Sequence, residues 1–262
     1  MKNQLKRILD LLRILNTTRS IIYYFTKFDS RTTNPRRRMV NFYSQFIQQG
    51  DLCFDVGANL GQRTDVFLEL QAKVISIEPQ SKCIQQLNKL YGKNKNLIII
   101  PQGIAAQEGF VEMSICNELS SISTMSSRWK SESIHAKEYG YQWNETEQVS
   151  VTTLDILINM YGLPVFCKID VEGFEYEVLQ GLNQPISVIS FEFNAGFFDD
   201  IKKCVNRLLQ IGNYKFNFAT GEPSSGGLFL SEWSNANILY EQIETLSLKD
   251  SKLWGDIYAK LF

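Results

Sequence analysis

The chain holds 262 residues, 44% of them hydrophobic, with a formal net charge of −1. That is enough apolar material for one large α/β domain with appendages. Charge is unevenly placed: residues 1–50 carry ten Lys/Arg against Asp10 and Asp29, a net +8, and the 17 basic and 26 acidic residues that follow give −9. An acidic body argues against a globally basic nucleic-acid binder.

Residues 3–27 carry apolar side chains at helical spacing, continuing through Ile14, Ile21, Ile22 and Phe25. Such a basic helix either packs on the domain's own surface or rests on an anionic membrane or a partner. No run approaches the ~20 apolar residues of a membrane span, and Met1–Leu15 lacks a signal-peptide core. The expectation is a cytoplasmic protein, and the arm leaves open a peripheral contact at the inner face of the membrane. A polar linker, Arg31–Arg38, surrounds Pro35; a helix to Gln48 should follow it, and Gly50 should end that helix. Residues 1–49 thus read as a basic helical arm.

The run Leu52-Cys53-Phe54-Asp55-Val56 enters the loop Gly57-Ala58-Asn59-Leu60-Gly61, with a strand expected over 51–56 and a helix over 62–70. This is a buried parallel strand feeding a tight turn and a helix N-terminus. Small residues let the backbone approach a ligand, and the helix start offers unpaired N–H groups and a positive dipole end. Asn59 stands where the commoner nucleotide loop has glycine, and Asn accepts a left-handed backbone better than most residues. Lys73–Glu78 reads as the next strand. Its terminal carboxylate lies roughly twenty residues beyond the loop, where doubly wound sheets bind ribose hydroxyls. Dinucleotides and S-adenosylmethionine both carry that ribose. The pyrophosphate fingerprint is absent, and Asp55 would repel a diphosphate but attract a methionine amino group, which favours S-adenosylmethionine.

Strands and helices go on alternating, the signature of a parallel sheet with crossover helices. A helix is expected over 81–91, a strand over Leu97–Pro101 and a further element over Phe110–Ile115. A Ser-rich, aromatic-bearing insert (117–147) precedes a short strand, Val149–Thr152, and Thr153 should cap the next helix. Val165–Asp170 and Val188–Phe193 read as core strands flanking a helix that Gly181 ends. Tyr214–Phe218 and Leu228–Leu230 should close the sheet as a hairpin-like pair, leaving a helical tail from Ser234. Cys53, Cys83, Cys116, Cys167 and Cys204 form no C-x-x-C pair, which suits buried thiols in a reducing compartment.

Ligands of open parallel sheets sit outside the carboxyl ends of the strands. Those ends supply Asp55, Glu78, Asp170 with Glu172, and Glu192 with Asn194. Neighbouring strands lie ~4.8 Å apart, so Asp170 and Glu192 can face one volume if their strands pair. Two close carboxylates share a proton, bind a cation or hold a hydroxyl between them. In the insert, Trp129, Tyr139, Tyr141 and Trp143 accompany the single histidine, His135. These rings either pack locally or form a lid over a substrate.

Asp55-Val56-Gly57-Ala58-Asn59-Leu60-Gly61, Glu78-Pro79, Thr153-Leu154-Asp155 and Lys168-Ile169-Asp170-Val171-Glu172-Gly173-Phe174-Glu175 resemble the FkbM family of S-adenosylmethionine-dependent methyltransferases. They occur in that family's order, across residues 50–220, with a strand-end glutamate like Glu192 after them. The resemblance implies a Rossmann-like class I methyltransferase fold over residues 50–230: α/β, with a mostly parallel seven-stranded sheet and helices on both faces. Residues 231–262 would form a C-terminal helical extension. It also implies O-methylation of a hydroxyl on a sugar, glycolipid or polyketide-type acceptor.

Carried onto this chain, the family pattern puts Asp55, Gly57, Asn59 and Gly61 around the methionine part of the cofactor and Glu78 on its ribose. The Gln102–Ile104 turn, through Gly103 and Ile104, would lie beside the adenine. Asp170 and Glu172 would border the methyl-transfer site, with Glu192 beside them. Three proton-accepting arrangements stay open: Asp170 or Glu172 directly, His135 from the insert, or a divalent cation such as Mg2+ held by Asp170, Glu192 and Asn194. Lys168 is expected to pair with a carboxylate. A nicotinamide-dependent sugar oxidoreductase and a cofactor-binding scaffold without turnover are the rival functions. The expected partner is a small-molecule or glycan acceptor.

Overall fold

A computed structural model of the chain describes residues 35–132 and 140–262. The expected helix over 3–27, with most of the arm's basic charge, and His135 lie outside the described residues.

Seven strands form the central sheet: β1 (Leu52–Val56), β2 (Lys73–Ile77), β3 (Leu97–Ile100), β7 (Phe166–Ile169), β8 (Val188–Asn194), β9 (Tyr214–Thr220) and β10 (Trp254–Leu261). Their order is β3-β2-β1-β7-β8-β10-β9. Neighbours from β3 to β8 run parallel, and β10 lies antiparallel between β8 and β9. After β1 the chain builds outward through β2 and β3, then returns to lay β7 on the other side of β1. That reversal opens a crevice at the carboxyl ends of β1 and β7, the place where open α/β sheets bind ligands. A second, three-stranded sheet stands beside it, ordered β4-β6-β5, from β4 (Gly103–Ile104), β5 (Gly109–Ile115) and β6 (Glu145–Thr152).

The strands are apolar on both faces because both are covered. On one face Phe54, Ile75, Cys167, Ile189 and Ile257 pack with residues of α5 (Leu154–Tyr161), α6 (Glu175–Gln180), α7 (Phe198–Ile211) and α9 (Ala236–Ser247). On the other, Cys53, Val74, Phe166, Val188 and Tyr258 meet α1 (Pro35–Tyr43) and α2 (Gln62–Glu69). Alternate residues of one strand therefore serve opposite cores, the period-2 rule of a pleated strand. Phe46 stacks on Phe166 and on Tyr258 at centroid distances of 5.7 and 5.5 Å, so the end of the arm is part of the core. Arg36 anchors α1 by donating to Asp65 at 2.6 Å and to Glu69 at 3.0 Å. All five cysteines are free and buried.

Several expectations need correction. The helix expected to reach Gln48 starts at Pro35, inside the supposed linker, and ends at Tyr43. Gly103 and Ile104 form a short strand paired with Val151 and Thr152 instead of a turn. The strand expected over Val149–Thr152 begins at Glu145, its exposed polar half being held by pairing with β5. Leu228–Leu230 is not a strand: it follows β9 irregularly, held by the Asn217 side chain, which donates to the Leu230 carbonyl at 2.8 Å and accepts from its N–H at 2.9 Å. The tail is helical only through α9, and its last segment is β10, threaded between β8 and β9. A Cβ on Gly255 would sit 2.0 Å from the Ala219 carbonyl oxygen, so the insertion demands glycine there.

Tyr258 is fully buried and joins the far end of the chain to the aromatic core under α1. Tyr258→Ala should destabilise the protein by about 3–5 kcal/mol, read from urea unfolding, since removing a large buried ring leaves a cavity. A loss under about 1 kcal/mol would mean that this core collapses around the gap.

Candidate functional site

The crevice is a cleft of about 900 Å³. Asp55, Gly57, Asn59, Glu78, Gly103, Ile104, Asp170, Glu172, Glu192 and Asn194 all line it, so nearly every expected site residue converges there. Gly61 stands behind the wall, where a Cβ would meet Leu87 Cδ2 at 2.6 Å.

The β1–α2 loop needs its small residues for specific reasons. Gly57 has φ 80°, and a Cβ there would lie 1.8 Å from the Asp170 carbonyl oxygen. The loop thus crosses directly over the end of β7. Asn59 adopts φ 47°, the left-handed backbone its residue type tolerates. Its N–H donates to Glu78 Oε2 at 2.8 Å, while Gln80 N–H donates to Oε1 at 2.8 Å. Glu78 is thereby held across the mouth of the loop. Burial pushes its carboxyl up to about 7, and the N–H donors of Gln80 and Asn59 offset only part of that rise. Asp55 is as buried as Glu78 and accepts from the Thr64 hydroxyl at 2.6 Å. Burial raises its pKa too, against the pull of Thr64 and Lys168.

Behind the lining residues Asp170 and Asp256, the Lys168 ammonium, 1% exposed, sits 2.9 Å from Asp170 Oδ2 and 3.2 Å from Asp256 Oδ1. The expected pairing with a carboxylate is therefore double. For Asp170 burial opposes ionisation, but Lys168 and then Arg63 outweigh it and hold the carboxyl below its ordinary value. Oxygens of Asp170, Glu172 and Glu192 lie within 4.8 Å of one another. Burial first, and the Asp170 charge second, drive Glu172 and Glu192 well above the usual carboxylate range. Glu172 has φ 56°, a strained conformation for its residue type. Glu175 supports the turn by accepting from Val171 N at 3.1 Å and Gly173 N at 3.3 Å. Asn194 lines the same cleft, and its Oδ1 accepts from Gly196 N at 2.9 Å.

Trp129 packs locally and also reaches the cleft. It is 8% exposed, packs on Phe197 at 5.1 Å and covers Gly173. Trp143 donates its indole N–H to the Ile122 carbonyl at 2.8 Å. Asp256 and Arg63 are among the cleft residues that escaped sequence reasoning. Asp256 was hidden in the supposed helical tail, and Arg63 sat among ordinary polar residues at a helix start.

Removing the buried cation tests this network. Lys168→Met should cost about 3 kcal/mol near neutral pH, because it strands two acids in the protein. The deficit should shrink as the pH falls, since Asp170, no longer held below its ordinary value by the ammonium, takes up its proton at a higher pH in the variant than in the wild type. Urea unfolding of both proteins from neutral pH downward measures it, and a deficit independent of pH would contradict the pairing.

A family model described as "Methyltransferase FkbM domain" matches residues 55–246. A search of curated proteins found no match at a significant level. Among solved structures, the precorrin-6y C5,15-methyltransferase of Geobacter metallireducens GS-15 is 13% identical, with 90% of this chain and 94% of that one covered and a TM-score of 0.46. A TehB-like SAM-dependent methyltransferase of Corynebacterium glutamicum is 9% identical, with coverage of 85% and 87% and a TM-score of 0.41. A candidate methyltransferase of Streptococcus mutans, solved in complex with SAH, is 11% identical, with coverage of 88% and 100% and a TM-score of 0.40. The family model begins at the Asp55 carboxylate and takes in the glycine loop, the strand-end acids and most of α9, and on that match the chain belongs to the FkbM family of S-adenosylmethionine-dependent methyltransferases.

Proposed function

We propose that the protein methylates a hydroxyl oxygen of an uncharged or cationic acceptor, of the sugar, glycolipid or polyketide type. The observation that carries this reading is the cluster of Asp170, Glu172 and Glu192 beside the glycine loop: one acid held ionised and two with raised proton affinity, facing one cleft. S-adenosylmethionine supplies a methyl already activated for transfer to an attacking oxygen, as the carbon–sulfur bond breaks. The chain's own tasks are then alignment and removal of the hydroxyl proton, and good alignment alone can be worth ~7–11 kcal/mol. A carboxylate whose pKa has moved up toward the working pH is a better base than an ordinary one. Glu172 and Glu192 have that property, so the proton goes to one of them. A nucleic-acid acceptor fits poorly, because a polyanion would be repelled by so many acids.

In the same reading Glu78 binds the ribose, Gly103 and Ile104 flank the adenine, and Asp55, Gly57 and Asn59 surround the methionine part, with Gly61 shaping the turn. Both Glu78 oxygens already accept backbone N–H groups and retain further lone pairs for ribose hydroxyls.

Labelled S-adenosylmethionine offered with a panel of sugar, glycolipid and polyketide hydroxyls, with and without magnesium and a chelator, tests the proposal. An ether-linked methyl product supports it, and methylation at nitrogen or carbon overturns it. Loss of turnover on chelation would assign a cation to the three carboxylates. Glu192→Gln and Glu172→Gln should separate the base from its neighbour, the base variant losing roughly 10²–10⁴ in kcat. The acid limb of the wild-type rate profile should lie above the ordinary carboxylate range, and Asp170→Asn should move it to lower pH by removing the neighbouring charge. Binding of 5′-methylthioadenosine, followed by calorimetry, should strengthen as the pH rises and level off above about 7, the value at which Glu78 becomes ionised. Glu78→Gln should flatten that dependence.

A further inference from the structure

The cleft is lined by eight acids, Glu118 and Glu222 joining the six already described. Among the described residues, only Arg63 and Lys82 bring basic side chains to it. Lys82 stands at the start of α3 (Ser81–Tyr91), near Glu78, and its ammonium is taken up by Asn117 Oδ1 at 2.5 Å. Arg63 stands at the other end, two residues past Gly61 where the glycine loop becomes α2. Its Nη2 donates to Glu222 Oε2 at 2.8 Å, which fixes the guanidinium plane. Its Nε is buried and has no hydrogen-bond partner among the described residues. A buried donor left without an acceptor is costly unless something else enters to accept from it.

The amino-acid end of S-adenosylmethionine carries two positive centres, the sulfonium and the ammonium, and one negative centre, the α-carboxylate. The acids suit the first two. A carboxylate brought among eight acids is repelled unless a cation meets it. Arg63 is the cation at that end of the cleft, and its planar fork matches a carboxylate. We propose that Arg63 receives the α-carboxylate of S-adenosylmethionine and of its product, so that the cleft selects ligands with the intact amino-acid end. This rests on the family's use of S-adenosylmethionine and adds the residue that reads the one anionic group of that molecule.

Calorimetry with commercial ligands tests it without knowledge of the acceptor. In the wild-type protein, S-adenosylmethionine should bind about 10- to 100-fold more tightly than decarboxylated S-adenosylmethionine, the size of one hydrogen bond to a charged group. S-adenosylhomocysteine should exceed 5′-methylthioadenosine by at least as much. In Arg63→Gln the carboxylated ligands should weaken by that factor while 5′-methylthioadenosine stays within about twofold. Arg63→Lys should recover part of the loss. Equal wild-type affinity for S-adenosylmethionine and its decarboxylated form overturns the proposal, even if the variant does not fold. Equal weakening of S-adenosylhomocysteine and 5′-methylthioadenosine in a folded variant also overturns it and makes Arg63 structural. If wild type binds none of these ligands, cofactor use itself fails, a result distinct from lost discrimination.

Discussion

The site depends on one buried ammonium. Lys168 lies in the middle of the sheet, on β7, with almost no contact with solvent. A lone cation there would be intolerable, and so would a lone Asp256. Held together with Asp170 they form a compensated set that joins β7 to β10 through the side chains. Its consequence is electrostatic. Asp170 stays ionised, and a fixed negative charge beside Glu172 and Glu192 makes it harder for either to lose a proton. Burial is the larger cause of their raised proton affinity, and the fixed charge of Asp170 adds to it.

Backbone contact reinforces this arrangement. The glycine loop lies so close to the end of β7 that any side chain on Gly57 would collide with the Asp170 carbonyl. Next along the chain, Glu172 is held in the left-handed region, and Gly173 is pressed under Trp129. The Glu172 carbonyl accepts from the Thr124 hydroxyl at 2.7 Å, tying this turn to the insert. Strain of this kind persists only where surrounding structure over-determines it. Here it is concentrated between the cofactor loop and the carboxylate cluster, so the two halves of the site hold each other in position.

How far the sequence could be read differs from element to element. Strands β1, β2, β7 and β8 were legible because short apolar runs ending in an acid or a glycine leave few alternatives. The αL backbone at Asn59 and the Thr153 cap, which accepts from Ile156 N at 3.2 Å, followed from residue chemistry alone. β10 was not legible. Its eight residues follow a true helix with little punctuation, and their buried pattern on both faces arises only from the neighbours they meet. The first half of β6 is polar and exposed, so no alternation marked it; pairing with β5 made it a strand.

What the sequence determined by itself is local: where strands end, which ends carry carboxylates, and where a glycine must permit close approach. Those properties belong to a few consecutive residues and need no partner to be expressed. The tertiary structure alone decided that the last eight-residue strand enters between β8 and β9, bringing Asp256 opposite Glu192 and against Lys168. It alone turned Arg63 from one more polar residue on a helix into the cation at one end of an acidic cleft. Both outcomes depend on residues separated by long stretches of chain, and electrostatics at such a site is a sum over neighbours that only folding assembles.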